Sequence, residues 1–194
     1  MDRALPVRWW DGGGFADAPA SAPGVHIVGV RGQTDRATAR RTIRSALLAA
    51  LAQASGLSPS SIRLSGAPGE APWALLDDGR RVALSISHDG DLSVAALRLD
   101  GGAVGIDVMQ VTDVPDWQAV ARDYLGPAAA ATLAGVPAFA RAWSEREARL
   151  KCRGLALAEW GACDESLPAA CTCRSLVLPD GYTGSVAVLP APWS

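Results

Sequence analysis

The segment from Trp143 to Gly154 constrains the fold most, because it combines strong helix formers with a charged side chain on its apolar face. Glu, Ala, Arg, Leu and Lys predominate, no proline interrupts the segment, and Gly154 is suited to a left-handed helix cap. At the helical repeat, Phe139, Trp143 and Leu150 share one face, with Arg146 in its middle. The pattern predicts an amphipathic helix that begins near Phe139 and packs against the rest of the chain.

Glu147 lies at the edge of that predicted buried face, with Lys151 just beyond it, whereas Glu145 and Arg149 form an i,i+4 pair on the opposite side. A carboxylate beside a buried stripe is costly unless it meets a cation, a metal ion or hydrogen-bond donors. Two interpretations stay open for Glu147. Either Arg146 neutralises it and the pair is structural, or the carboxylate belongs to a functional site.

Composition narrows the classes of protein that are possible. The chain has 194 residues, 49% of them hydrophobic, which suits one large domain or two small lobes. No apolar run is long enough to span a membrane, and the N-terminus lacks the form of a signal peptide, so we expect a cytoplasmic protein. A net charge of -2 argues against binding to nucleic acid.

The four cysteines, Cys152, Cys163, Cys171 and Cys173, lack the paired spacing of a zinc site. The two histidines lie far upstream of them. Reduced structural thiols are the default in a cytoplasmic chain, and we expect that here.

The order of elements indicates an α+β fold with two similar lobes. We predict a strand over 25–30, a helix over 35–55, a hairpin turning at Asp89-Gly90, a strand over 103–111, and closing strands over 176–178 and 184–189. Asp180-Gly181 and the strand after it weakly repeat Asp89-Gly90 and its strand. The sequence therefore predicts two lobes, 1–101 and 102–194, related by pseudo-two-fold symmetry and joined near Gly101-Gly102.

The first helix carries Arg36, Arg40 and Arg44 at i,i+4 spacing, on the same side as its apolar stripe. Arg41 points elsewhere. A solvated basic face should lie opposite the core, whereas arginines on the inner side near a helix N-terminus are suited to an anion. Phosphate binding and a solvated face both remain open for this group.

Asp107 lies inside a predicted strand, where aspartate is rare, and follows Gly105, which leaves space beside it. Together with Glu147 it is the best candidate for a two-carboxylate magnesium site, because magnesium takes one or two protein carboxylates and completes its shell with water and phosphate. Ser87 and His88 are not a hydrolytic dyad, because adjacent strand residues point to opposite faces. The alternative for His88 is a strand-end histidine bonded to a carbonyl.

Three blocks of residues, in this order, resemble those of the monomeric, two-lobed class of 4′-phosphopantetheinyl transferases. They are Ser85-Ile86-Ser87-His88, Gly105-Ile106-Asp107-Val108 and the helical segment 139–154, which is similar to Trp-Ser/Thr-x-Lys-Glu-Ala-x-x-Lys-x-x-Gly. The resemblance extends over about residues 35–189. It implies a fold of two α+β lobes and transfer of 4′-phosphopantetheine from coenzyme A to a serine of an acyl or peptidyl carrier protein.

The resemblance also implies roles for individual residues. Asp107 and Glu147 are similar to the magnesium ligands, and Glu147 also helps to deprotonate the attacking serine. Lys151 and Arg146 correspond to contacts with the diphosphate. Asp107, Glu147 and Lys151 are therefore the expected catalytic residues.

For the rest of coenzyme A, the resemblance implies that Ser87 and His88 contact phosphates. An arginine of the first helix contacts the 3′-phosphate. Helical geometry favours Arg40 and alignment with the family's pattern favours Arg41, while Arg36 and Arg44 complete the basic group.

Two positions depart from the family's pattern. Met109 stands where an acidic residue is common, and Glu70-Ala71-Pro72 replaces a Gly-Lys/Arg-Pro turn, which removes a cation that Arg80 or Arg81 could supply. These departures leave open a degenerate relative that binds coenzyme A or a carrier protein without transfer. A separate alternative is an unrelated coenzyme A-dependent acyltransferase.

Overall fold

The computed structural model describes residues 4–15, 24–66, 71–161 and 171–189. Within them the chain forms two β-sheets and four α-helices, which confirms the predicted α+β class. The strands are β1 (Leu5–Pro6), β2 (Arg8–Trp9), β3 (Val25–Val30), β4 (Ile62–Ser65), β5 (Trp73–Leu76), β6 (Arg81–Asp89), β7 (Leu92–Arg98), β8 (Val104–Gln110), β9 (Thr172–Val177) and β10 (Tyr182–Val188). The helices are α1 (Arg36–Ser55), α2 (Trp117–Leu125), α3 (Pro127–Ala130) and α4 (Val136–Arg153).

The first sheet has six strands in the order β2-β3-β7-β6-β5-β4. Helix α1 is capped at its N-terminus by Asp35, whose side chain accepts hydrogen bonds from Ala37 N and Thr38 N, and at its C-terminus by Gly56 in the left-handed conformation. Its stripe of Ile43, Leu47 and Leu51 packs on one face of this sheet.

The second sheet has four strands in the order β1-β9-β10-β8. One of its faces packs against the first sheet through alternate residues of β8, namely Val104, Ile106 and Val108. The other face carries α4, where Ala148 and Cys152 meet Ala187 of β10. The described residues therefore stack in four layers: α1, the first sheet, the second sheet and α4.

Gly105 is expected from the sequence to leave space beside Asp107, but the backbone of helix α4 fills that space. A Cβ atom at Gly105 would overlap the carbonyl oxygen of Ala148 and the amide nitrogen of Cys152. The glycine thus leaves room for helix backbone, as glycine does where two backbones approach closely. This contact fixes the distance between α4 and the strand that carries Asp107.

Several sequence predictions can be compared directly with these elements. Helix α4 begins at Val136, three residues before the predicted Phe139, because Pro137 is favourable in a first helical turn. Gly154 ends it in the left-handed conformation as predicted. Two lobes, 1–101 and 102–194, and their pseudo-symmetry stay predictions. Strand β1, from the N-terminal end of the chain, joins the second sheet by pairing in parallel with β9.

The cysteines in the described ranges are free thiols. Burial raises the pKa of Cys152 to about 12 and that of Cys173 to about 11, so both stay protonated near neutral pH. Cys163 and Glu70 lie outside the described residues. No helix in the described part of the chain is both long and apolar enough to cross a bilayer.

Candidate functional site

A cavity of about 440 Å³ opens where β6, β8 and α4 meet. All three sequence blocks contribute to its wall. Its lining consists of Ile86, Ser87, His88, Asp89, Asp107, Val108, Met109, Trp143, Glu147 and Lys151. Five predicted site residues, Ser87, His88, Asp107, Glu147 and Lys151, are therefore brought together around one space.

Asp107 is buried on β8, with only 6% of its surface exposed. Its Oδ1 atom accepts hydrogen bonds from Ser87 Oγ at 2.7 Å and from Lys151 Nζ at 2.7 Å. Burial raises the pKa of Asp107, while the charge and hydrogen bond of Lys151 and the hydrogen bond of Ser87 oppose that shift. The carboxylate is thus held by one strand and one helix at once.

Glu147 is half-buried on α4, one helical turn before Lys151. Burial raises the pKa of Glu147, the nearby charge of Asp107 raises it further, and Lys151 and Arg146 oppose the shift. Within the described ranges, no hydrogen bond or ion pair to the Glu147 carboxylate is found. A carboxylate in this setting is available to accept a proton or to bind a cation.

His88 faces a different partner from its neighbour Ser87, as alternation along a strand requires. Its Nδ1 atom lies 2.6 Å from the hydroxyl of Ser93, which pairs with it across β6 and β7. That partner is a hydroxyl and not the carbonyl of the alternative interpretation. Burial lowers the pKa of His88, and the charges of Arg40, Lys151 and Arg36 lower it further, so the neutral ring is favoured at pH 7.

The arginines of α1 separate into three environments. Arg36 and Arg40 are exposed, and their charges act on His88 at the cavity wall. Arg44 is half-buried and donates a hydrogen bond to the carbonyl oxygen of Leu64 at 3.3 Å. Arg41 donates to Thr38 Oγ1 at 3.0 Å. Of the two arginines that the sequence could not separate, Arg40 is the one whose charge reaches the cavity.

Arg146 is buried, as its position on the apolar stripe predicts, with 8% of its surface exposed. Its Nη2 atom donates to the carbonyl oxygen of Ala158 at 3.1 Å, and its guanidinium lies 5.8 Å from the centre of the Trp160 ring. It does not line the cavity. The position of Arg146 therefore does not support its predicted contact with a diphosphate, which stays a prediction. Glu145 and Arg149 form the predicted i,i+4 ion pair.

A second cavity, of about 420 Å³, lies beside the first and shares Lys151 with it. Ala71, Pro72 and Trp73 form one side of it, and Arg81 stacks on the Trp73 ring at 4.4 Å from the ring centre. Arg80 instead pairs with Asp78 at 2.7 Å. Arg81 is thus the arginine that supplies a cation beside Ala71.

The two carboxylates are suited to a hard divalent cation. Asp107 and Glu147 offer oxygen ligands on one cavity, whereas the thioether of Met109 on the same wall is a poor magnesium ligand. Among the described residues, no cluster of three or more His, Cys, Asp or Glu could hold a metal ion. A cation here would need further oxygens from water or from a phosphate-bearing substrate, which is how magnesium is commonly held.

The family resemblance implies phosphate binding by Ser87 and gives no sign of its contact with Asp107. Asp89 and Trp143 also line the cavity, although neither is among the predicted site residues. Period-two alternation places Ser87 and Asp89 on one face of β6, and the helical repeat places Trp143 one turn before Glu147, so both signals were present. What faces them depends on contacts distant in sequence.

No protein-family model matches the chain, and no curated protein sequence matches it significantly. The three residue blocks and the geometry of the cavity are therefore the observations that bear on function.

Proposed function

We propose that the protein is a magnesium-dependent 4′-phosphopantetheinyl transferase that modifies an acyl or peptidyl carrier protein. The observation that carries the proposal is the convergence of three separate sequence blocks on one cavity, where Asp107, Glu147, Lys151, Ser87 and His88 meet. Among them, the two carboxylates are suited to a divalent cation and the Lys151 ammonium is suited to a diphosphate.

In the proposed reaction, the hydroxyl oxygen of a carrier-protein serine attacks the β-phosphorus of coenzyme A. A new phosphorus–oxygen bond forms, the bond to the bridging oxygen of the diphosphate breaks, and adenosine 3′,5′-bisphosphate leaves. Glu147 accepts the serine proton, a role that suits a half-buried carboxylate with a raised pKa. Lys151, which lines both cavities, balances negative charge on the diphosphate.

Asp107 and Glu147 would hold magnesium. The bound cation would supply charge neutralisation at the diphosphate oxygens, which is the main source of catalysis in phosphoryl-type transfer. Asp107 contributes a carboxylate whose position is fixed by Ser87 and Lys151. Arg40 and Arg36 extend the positive charge beyond His88, where the 3′-phosphate of coenzyme A would bind.

The proposal includes the fold of the family: two related lobes, 1–101 and 102–194, in a monomer that acts in the cytoplasm. Two stacked sheets, each covered by a long helix, agree with it. A structural alignment of the two parts tests the relation, and no superposable core would count against it.

Incubation with an apo-carrier protein, coenzyme A and magnesium, followed by intact mass, tests the function directly. A transferase adds the mass of one phosphopantetheine group to the carrier. A degenerate relative binds coenzyme A or the carrier without changing the carrier's mass. An acyltransferase gives no product with coenzyme A and requires an acyl thioester.

A further inference from the structure

Three side-chain oxygens of β6 accept hydrogen bonds from backbone amides of β8, at 3.0, 3.3 and 2.7 Å. The acceptors are Ser85, Ser87 and Asp89, and the donors are, in the same order, the amides of Ile106, Val108 and Gln110. We call these three bonds the side-chain ladder.

The side-chain ladder exists because alternate residues of β6 face the second sheet. Within the described residues, β8 forms a backbone ladder with β10 alone, so its outward amides need other acceptors. A buried amide without a partner destabilises the folded state, because it loses its bond to water and gains none. The ladder satisfies these amides and sets the register of β8 against β6.

Ser87 makes contacts that Ser85 does not. Its hydroxyl lies 2.7 Å from Asp107 Oδ1 and 3.3 Å from Lys151 Nζ, besides accepting the Val108 amide. A hydroxyl has one proton and two lone pairs. Because Val108 N–H and the Lys151 ammonium are donors only, they occupy the lone pairs, and the Ser87 proton is directed to the carboxylate.

We propose that Ser87 is a positioning residue that orients the Asp107 carboxylate, and that it is not a phosphate ligand. The inference rests on the proposed function, because it assigns Asp107 as the group that Ser87 serves. It replaces the role in phosphate binding that the family resemblance implies. The proton and both lone pairs of the Ser87 hydroxyl are used in hydrogen bonds inside the protein, so the hydroxyl cannot also donate to a phosphate oxygen.

Ser85 provides a matched control. It is buried like Ser87, occupies the preceding step of the side-chain ladder and does not line the cavity. The test compares Ser85→Ala, Ser87→Ala and Ser87→Thr with the wild-type chain. Steady-state transfer gives kcat and KM for coenzyme A, thermal unfolding gives stability, and calorimetry gives Mn²⁺ affinity in the presence of coenzyme A.

We expect Ser87→Ala to lower both kcat and Mn²⁺ affinity by about 10–100-fold, the usual cost of removing a hydrogen bond to a metal ligand. Its KM for coenzyme A should change by less than about threefold, since no substrate contact is lost. Ser85→Ala should lose similar stability but keep kcat and Mn²⁺ affinity. Ser87→Thr, which retains the hydroxyl, should restore both.

Other outcomes overturn the inference. If Ser87→Ala raised the KM for coenzyme A but left kcat and Mn²⁺ affinity unchanged, Ser87 would be a phosphate ligand. If Ser85→Ala and Ser87→Ala lost kcat equally, the side-chain ladder would be purely structural. An active wild type with either result refutes only this inference. A wild type without transfer or Mn²⁺ binding refutes the proposed function and this inference with it. Should Ser87→Ala fail to fold, Ser87→Cys keeps the volume and weakens the bond.

Discussion

Lys151 Nζ lies 2.7 Å from Asp107 Oδ1, although 44 residues separate them. The side chain of Asp107 is 8% exposed and that of Lys151 is 31% exposed. The pair thus joins a buried carboxylate on β8 to an ammonium that reaches the cavity from α4. Because the ammonium is near solvent, loss of the carboxylate leaves no fully buried, uncompensated charge.

We therefore predict that Asp107→Asn folds but loses transfer activity by at least about 100-fold, the scale seen when one electrostatic contact to a reacting group is removed. Asparagine keeps the shape and the bond to Ser87 while removing the charge. Intact mass of the carrier protein over time measures the rate, and circular dichroism reports the fold.

Glu145→Gln is the control for Asp107→Asn. It removes a carboxylate from α4 that pairs with Arg149 outside the cavity. Its transfer rate should stay close to that of the wild type. Equal effects of the two variants would show that carboxylate loss acts through net charge, against the proposed site.

Gly105→Ala should destabilise the protein by more than the usual ~1–3 kcal/mol for overpacking, since the added methyl group meets helix backbone that has no rotamer to change. Chemical denaturation measures the loss. Gly14→Ala, where no atom lies within 4 Å of the added methyl group, is the control. Unchanged stability of Gly105→Ala would mean that α4 does not lie this close to β8.

The local part of the site could be predicted from the sequence because it depends on periodicity. Alternation separates Asp107 from the apolar face of β8, and the helical repeat places Glu147 and Lys151 on one face of α4. The same repeat correctly predicts that Arg146 is buried. Each of these results needs only the element in which the residue lies.

Contacts between elements could not be predicted in the same way. One partner of Arg146 is the carbonyl oxygen of Ala158, in a segment without periodicity. The sequence therefore predicts that Arg146 is buried but not which way its side chain points. Alternation marks Ser87 as facing one side of β6, yet nothing local indicates that β8 and Asp107 lie there. Likewise, Leu5 pairs with Leu176 through a strand too short to carry a pattern.

Arg40 and Arg41 should differ in their effect on coenzyme A. The charge of Arg40 acts on His88 at the cavity wall, whereas Arg41 donates a hydrogen bond to Thr38. Arg40→Ala should therefore weaken the binding of coenzyme A by about 10-fold or more, as expected for the loss of a charge-assisted hydrogen bond. Arg41→Ala should have little effect. Calorimetry with coenzyme A measures both affinities.

Dephospho-coenzyme A provides the second arm of this experiment. If Arg40 contacts the 3′-phosphate, Arg40→Ala should leave the affinity for dephospho-coenzyme A unchanged, and the wild type should bind that ligand more weakly than coenzyme A. A loss with both ligands would assign Arg40 to another part of the molecule.

The two histidines should make the protein less stable on mild acidification. The ordinary pKa of histidine is 6.5, and burial in the folded state lowers the pKa of both His88 and His26 below that value. The unfolded chain then binds more protons below about pH 6.5, so their contribution to the free energy of unfolding is present above that pH and is lost as pH falls through the folded pKa.

We expect His88→Gln and His26→Gln each to reduce the slope of stability against pH between about pH 5.5 and 7, where carboxylates with an ordinary pKa titrate little. Glutamine stays neutral over this range. Denaturant unfolding at a series of pH values measures the slope. A double variant with the slope of the wild type would contradict the lowered pKa values.

Met109 lines the cavity beside Asp107 and Glu147 and also packs against the cluster around Phe139. A thioether offers little to a hard cation, so the two carboxylates are the expected protein ligands. Magnesium gives up water reluctantly, and two carboxylates alone bind it weakly. We therefore predict that magnesium and coenzyme A bind cooperatively, each raising the affinity of the other by the same factor.

Titration calorimetry of coenzyme A with and without magnesium measures this coupling, and Met109→Glu provides its counterpart. A further carboxylate beside Asp107 and Glu147 should strengthen magnesium binding to the free protein and reduce the dependence on coenzyme A, because less of the coordination shell then has to come from the diphosphate. Met109→Leu, which keeps the packing against the Phe139 cluster, should leave the coupling unchanged. Tight magnesium binding to the wild-type chain alone would show that the cation is held by other ligands than the proposed pair.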